Sequence, residues 1–228
     1  MLTYQKPIII WGASGHAVVV ADIISLQNQY KIIGFIDNIN SELHKTRFLD
    51  SLILGGEEQL EKFQYLREKF AVIAIGNCKV RLQLSTLVLK HNFELATLVH
   101  PKATVATDVS IGSGTVVCAG AIVNPRVTIG RNVIINTGAI IEHDSIIDDG
   151  VHICPGVRLA GNVHIHQGSW VGIGSVVIEK VSIGEWSLIG AGSLVLHDIS
   201  DRVVVYGHPA QEIRDRNVSD IYMLDLTS

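Results

Sequence analysis

Residues 129–147 read IGRNVIINTGAIIEHDSII, and every sixth position, Ile129, Ile135, Ile141 and Ile147, is the same aliphatic residue. Extending that step both ways runs from Val99 through Val105, Ile111, Val117 and Val123, and onward to Ile183, Ile189 and Val195. All seventeen positions are Val, Ile or Leu, with no insertion. Four residues after each stands a small or β-branched residue, from Ala103, Val109, Thr115 and Ala121 to Ser193 and Ile199. Neither the helical period of 3.6 nor plain two-residue alternation keeps this register. Short strands joined by identical turns, with the sixth-residue aliphatics stacked inside, do keep it, so the second half of the chain is a β-solenoid.

The first half follows another rule. Lys6–Trp11 and Lys31–Asp37 read as strands, Ala17–Leu26 as a helix, and Glu57–Glu68 as a second helix. Phe70–Ile75 reads as a buried strand, Val80–Lys90 as a helix, and Phe93–Val99 as a closing strand. This alternation predicts a small parallel α/β domain over residues 1–97, with the solenoid and its tail occupying 98–228. Ligands of such sheets bind at the carboxyl ends of the strands. Here those ends carry Gly12-Ala-Ser14-Gly15-His16, Asp37-Asn38 and Gly76-Asn77.

The 228 residues carry a net charge of -4, which gives no basic footprint for nucleic acid. No apolar run reaches the roughly 18 residues of a membrane span, and the N-terminus lacks a signal-peptide cleavage site. Cys78, Cys118 and Cys154 are odd in number and lack CxxC spacing, which predicts reduced thiols in a cytoplasmic protein.

Several hexads read [IV]-G-x-x-[ST]-x, as at Ile111-Gly112, Val171-Gly172, Ile183-Gly184 and Ile189-Gly190, and Ile129-Gly130 opens a hexad with Val133 at the fifth place. This resembles the hexapeptide-repeat acyltransferases, and the resemblance implies a left-handed parallel β-helix with three hexads per coil. Residues eighteen apart then stack about 4.8 Å apart, as neighbouring strands do. His143 stands over Gly161, with Pro125 on its other side. A glycine beside a histidine leaves room for a ligand and exposes a backbone N–H that can face an oxyanion while the histidine takes a proton. Glu142 and Asp144 flank His143, and either can orient the ring once a turn brings it round.

The whole chain resembles bacterial sugar acetyltransferases with a small α/β domain and a hexapeptide β-helix. These include N-acetyltransferases of nucleotide-linked amino sugars and sialic acid O-acetyltransferases. The resemblance rests on IWGASGHAVVVADII from Ile10, FIDN from Phe35, IAIGN at 73–77 and TLVHPKATV from Thr97. NTGAIIEHDSIIDDGVHICPG from Asn136 and VYGHPA from Val205 complete it. It implies that His143 is the general base, assisted by Asp144 or Glu142, with Asn136 and His152 at the active site. It further implies that Gly161 donates its amide to the thioester carbonyl. Acetyl-CoA, the co-substrate, would lie between two β-helices of a homotrimer, contacting Gly161, Ile173, Gly174 and Pro209. Gly12, Ser14, Gly15, His16, Asp37, Asn38, Gly76, Asn77 and Arg81 would hold the nucleotide sugar.

Other readings compete. The GASGH loop is not GxGxxG, and residues 1–97 offer too few strands for a complete NAD domain. His164 and His166 flank Ile165 and suggest a metal pair, as in the γ-class carbonic anhydrases, but no third histidine stands at a matching spacing, so no metal is assigned. Trp170 and Trp186 are sixteen apart and read as interface or rim residues. The expected activity is direct acetyl transfer to a nucleotide-linked amino sugar for surface glycan synthesis, with no metal required. A sialic acid or other sugar hydroxyl needs the same base and remains the alternative acceptor. A non-catalytic sugar-nucleotide-binding scaffold is the alternative of another class.

Overall fold

A computed structural model describes residues 4–217, so residues 218–228 of the expected second domain lie outside the described residues. The N-terminal half forms a sheet ordered β3-β4-β2-β1-β5-β6. Its strands are β1 (Lys6–Trp11), β2 (Tyr30–Ile36), β3 (Arg47–Phe48), β4 (Ser51–Gly55), β5 (Phe70–Ile73) and β6 (Glu94–Leu95). All neighbours are parallel except the β3–β4 hairpin, which alternation alone did not reveal. Helices α1 (Gly15–Gln27) and α2 (Cys78–Lys90) complete the unit. The helix expected over 57–68 is a 3₁₀ segment, Glu57–Phe63, whose one buried residue is Leu60. Only Leu60 and the half-buried Phe63 reach the core from it, too few to make a continuous face, and packing supplies most helix stability. The strand expected over 93–99 is split. Ala96 still donates to the Ala71 carbonyl, whereas Leu98–Val99 leaves the sheet and pairs with Val116–Val117.

From Leu98–Val99 to Leu194–Val195, seventeen two-residue strands wind a left-handed β-helix, and all but the last strand of each face pair in parallel with the strand eighteen residues on. Its first face carries Leu98–Val99, Val116–Val117 and their successors to Leu188–Ile189. The second runs from Thr104–Val105 to Leu194–Val195, and the third from Ser110–Ile111 to Ser182–Ile183. The sixth-residue aliphatics from Val117 to Val195 are at most 2% exposed, while Val99, Val105 and Ile111 at the open end are only partly buried. The small partners have a polar task as well. The Thr115 hydroxyl donates to the Gly130 carbonyl and accepts from the Val133 N–H, and Ser169 does the same with Gly184 and Ser187. Each hydroxyl thus satisfies backbone groups that the tight turns would otherwise bury unpaired.

The α/β unit sits on the first face. Leu98, Val116 and Cys118 belong to the same apolar cluster as Ala17, Val20 and Ile24 of α1. Arg81 of α2 is 1% exposed and locks the junction. Its five N–H groups reach the carbonyls of Ile75, Gly76, Asn132, Gly150 and Val151. The expected contact between Arg81 and the nucleotide sugar is therefore corrected: no donor of this guanidinium is left for a ligand. Burial pushes the Cys118 and Cys154 thiols up to about 12, which makes them inert packing residues. No helix among the described residues is long and apolar enough to cross a membrane.

Candidate active site

His143 lies in the turn between Ile140–Ile141 of the second face and Ile146–Ile147 of the third. The next residue, Asp144, has φ 60°, a left-handed conformation that Asp tolerates better than most residues. That kink swings its carboxylate back onto the ring, with His143 Nδ1 2.7 Å from Asp144 Oδ2. Asp144 therefore orients the histidine, while Glu142 continues the strand with its N–H on the Leu159 carbonyl.

One coil earlier on the same corner, Arg126 forks onto Asp144, Nε to Oδ1 at 2.5 Å and Nη2 to Oδ2 at 2.7 Å. The hydrogen bonds from Arg126 and then His143 hold the Asp144 carboxyl well below the usual carboxylate range. An ionised Asp144 only accepts, so Nδ1 of His143 is the donor, and in the neutral ring Nε2 carries the free lone pair. The ring is half exposed, which leaves that lone pair accessible. Arg126 was not anticipated, although its place eighteen residues before Asp144 was readable from the coil register.

Gly161 stands against the ring, as the register requires. A Cβ built there would lie 2.8 Å from Cε1 and 2.9 Å from Nε2 of His143. Any side chain at this position would displace the imidazole.

The remaining candidates collect on the first face. Gly12, with φ 115°, follows β1, and a Cβ there would meet the Ala74 carbonyl oxygen at 2.8 Å. Glycine thus permits the tight turn into α1, whose opening residues Ser14 and Gly15 are exposed. The amides of Gly15 and His16 precede the first intrahelical bond, from Ala17 to Ser14, and suit an anion. Asp37 is buried. Burial pushes its carboxyl up, but hydrogen bonds from Asn40 and Ile39 outweigh this and hold it below the ordinary value. Its next neighbour Asn38 lies beside Gly56. Asn77 caps α2 by accepting from the Val80 N–H.

His152 is buried at the junction where the Gly76 strand end meets the first face. Asn136 Nδ2 lies 3.3 Å from its Nε2, and its Nδ1 lies 3.4 Å from the Gly76 carbonyl oxygen. Trp170, expected at an interface or rim, packs against it with ring centroids 4.1 Å apart and the planes inclined by 54°. Burial, then Arg81 and His16, hold His152 well below the ordinary histidine value. Burial and Arg81 lower His16 to about 4, and its buried Nε2 has no hydrogen-bond partner. Two neutral imidazoles thus lie at this junction.

Within one chain these groups divide into two sets. The turn holding His143 joins the second and third faces, which is the prism edge opposite the first face. The Gly76–Cys78 end of the α/β unit, Asn136 and His152 lie on the first face. Ile173 and Gly174 lie at the edge between the first and second faces, with Ile173 56% exposed. Pro209 lies in the turn between β24 (Val203–Gly207) and β25 (Ala210–Asp215), after a cis peptide bond.

The fold and the histidine on its edge define the class, a hexapeptide-repeat β-helix carrying an α/β unit on one face. The model of the PglD N-terminal domain family matches residues 7–88, and that of the bacterial transferase hexapeptide (six repeats) matches 126–161 and 162–197. A GDP-perosamine N-acetyltransferase of Caulobacter crescentus, a histidine-to-alanine mutant in complex with CoA and GDP-perosamine, is 30% identical. The match covers 92% of this chain and 97% of that one with a TM-score of 0.86. The acetyltransferase domain of PglB from Neisseria gonorrhoeae, in complex with acetyl coenzyme A, is 31% identical over 92% of this chain and 100% of that one, with a TM-score of 0.85. A UDP-N-acetylbacillosamine N-acetyltransferase of Bacillus subtilis is 35% identical over 123 residues, 50% of this chain. The chain spans about half the length of that curated relative, 52%. The chain belongs to the PglD-like family of hexapeptide-repeat acyltransferases.

Proposed function

We propose that the protein transfers the acetyl group of acetyl-CoA to the amine of a nucleotide-linked amino sugar, with His143 as general base. The observation that carries this is the free Nε2 of His143, fixed by Asp144 and placed against Gly161. The acceptor amine attacks the thioester carbonyl as Nε2 removes its proton. The tetrahedral oxyanion is met by the Gly161 amide, and collapse expels the CoA thiolate, which takes the proton back from His143. The charge on Asp144 stabilises the imidazolium formed between these steps. Direct transfer in a ternary complex is supported by the Caulobacter relative, which holds CoA and GDP-perosamine together.

The nucleotide is held in the first-face crevice by Gly12, Ser14, Gly15 and His16, with Asp37, Asn38, Gly76 and Asn77 around it. A sugar bound there lies across the prism from the His143 of its own chain. The base therefore serves the crevice of a neighbouring copy, in a homotrimer with active sites between subunits. Acetyl-CoA runs along that boundary past Gly161, Ile173, Gly174 and Pro209. We place the reaction in the cytoplasm, where the three free cysteines stay reduced.

The test is a thiol-release assay with UDP-, GDP- and CMP-linked sugars carrying either a free amine or only hydroxyls. Turnover confined to an amino sugar supports the proposal. Turnover of a hydroxyl acceptor alone replaces N- with O-acetylation, and failure to bind acetyl-CoA favours the sugar-nucleotide-binding scaffold.

A further inference from the structure

Asp148, His164 and His166 take no part in the chemistry above. Ile165 points into the core, so its neighbours His164 and His166 both project outward from the third face. Asp148 occupies the position of His166 one coil earlier, because Ile146 pairs with His164. The search for a third histidine misses it because the third group is a carboxylate. Asp148 Oδ2 lies 3.0 Å from His164 Nε2 and 3.4 Å from His166 Nδ1, and the two rings lie side by side with centroids 3.8 Å apart and planes inclined by 32°. One donor atom from each residue falls within 4.8 Å of the others.

These spacings suit a small tetrahedral ion. Bonds of about 2.0–2.2 Å to imidazole nitrogen and carboxylate oxygen give ligand-to-ligand edges of about 3.3 Å. The two edges from Asp148, 3.0 and 3.4 Å, already lie within about 0.3 Å of that length. His166 also has the outer support that metal-binding histidines use, since its Nε2 lies 3.0 Å from Ser182 Oγ while Nδ1 faces the carboxylate. Ser182 is itself fixed, its N–H on Asp198 Oδ1 at 2.8 Å. The three side chains are 34–36% exposed, which leaves an entry path and room for a water ligand.

We propose that Asp148, His164 and His166 bind one divalent transition metal ion of the zinc class, with water completing the tetrahedron. Two imidazoles and one carboxylate suit such an ion better than calcium or magnesium, which prefer oxygen ligands. The ion bridges two successive coils at the start of the edge where Gly150 and Val151 receive Arg81. Binding to the native state alone makes it a stabilising clamp rather than a part of acetyl transfer.

The test uses tag-free full-length protein, stripped with chelator and titrated with zinc chloride by calorimetry and thermal unfolding. One zinc per chain and a rise in Tm are expected. His164→Ala and Asp148→Asn should abolish both, and Ser182→Ala should weaken affinity by about 10-fold. Stripped His143→Ala should bind zinc like wild type. Cobalt(II) gives a readout independent of variant stability, namely the visible bands of a four-coordinate site in the wild-type protein. No zinc binding, binding that persists in His164→Ala and Asp148→Asn, or binding lost in His143→Ala would overturn the assignment.

Discussion

Substituting Gly161→Ala should cripple turnover without unfolding the protein. The added methyl would lie 2.8 Å from Cε1 of His143, where ordinary contact begins near 3.4 Å, so the ring must retreat by about 0.6 Å. Such a retreat stretches or breaks the 2.7 Å bond from Nδ1 to Asp144 and moves Nε2 away from the acceptor. A misplacement near 1 Å costs about 10²-fold in rate. A loss of 10- to 100-fold in kcat is therefore expected, about 1.4–2.7 kcal/mol in the barrier. Stability should change little, because alanine accepts the backbone conformation and the obstructed neighbour is a half-exposed side chain. The assay is steady-state thiol release for Gly161→Ala, His143→Ala and the double variant, alongside thermal unfolding. If the glycine acts through the ring, the double variant matches His143→Ala, because two changes to one unit do not add. Additive losses, or wild-type kcat in Gly161→Ala, would refute this reasoning.

Other consequences follow from neighbouring groups. Arg126→Met removes the fork on Asp144, so the carboxylate holds the His143 ring less firmly and kcat should fall several-fold with KM little changed, which steady-state thiol release will show. Arg81→Met strands carbonyls at the domain junction and should cost at least about 3 kcal/mol in denaturant unfolding. His16, lowered from 6.5 to about 4, binds fewer protons folded than unfolded in that window. Its contribution is present above pH 6.5 and fades as pH falls towards 4, by at most about 3 kcal/mol. His152 adds in the same direction. His16→Asn should flatten the fall in Tm between pH 7 and 4.

The solenoid was legible because one-dimensional repetition writes its geometry into the sequence. The six-residue step places Ile141 inside and the eighteen-residue step places Gly161 on His143. Both relations hold without knowledge of any distant contact. The choice between Glu142 and Asp144 was not legible, since it turns on the left-handed backbone of Asp144 rather than on composition. Arg81 was misread for a related reason. Its acceptors come from residues 75, 76, 132, 150 and 151, which meet only when the α/β unit docks on the first face. The β3–β4 hairpin carries too short a run to show a period. Asp148 was readable by the coil step from His166, but a carboxylate among exposed acids gives no signal of its own.

The central claim, that one chain's base serves another chain's crevice, is tested by mixing two inactive chains. His143→Ala keeps the crevice. Gly15→Asp keeps the base and, with nothing within 4 Å of its Cβ, places a negative charge where phosphates should bind. Each variant alone should be inactive. Co-expressed equally, randomly assembled trimers pair a good base with a good crevice at about one quarter of sites, so about one quarter of wild-type activity should return. Mixed assemblies that stay as inactive as either parent would contradict the account.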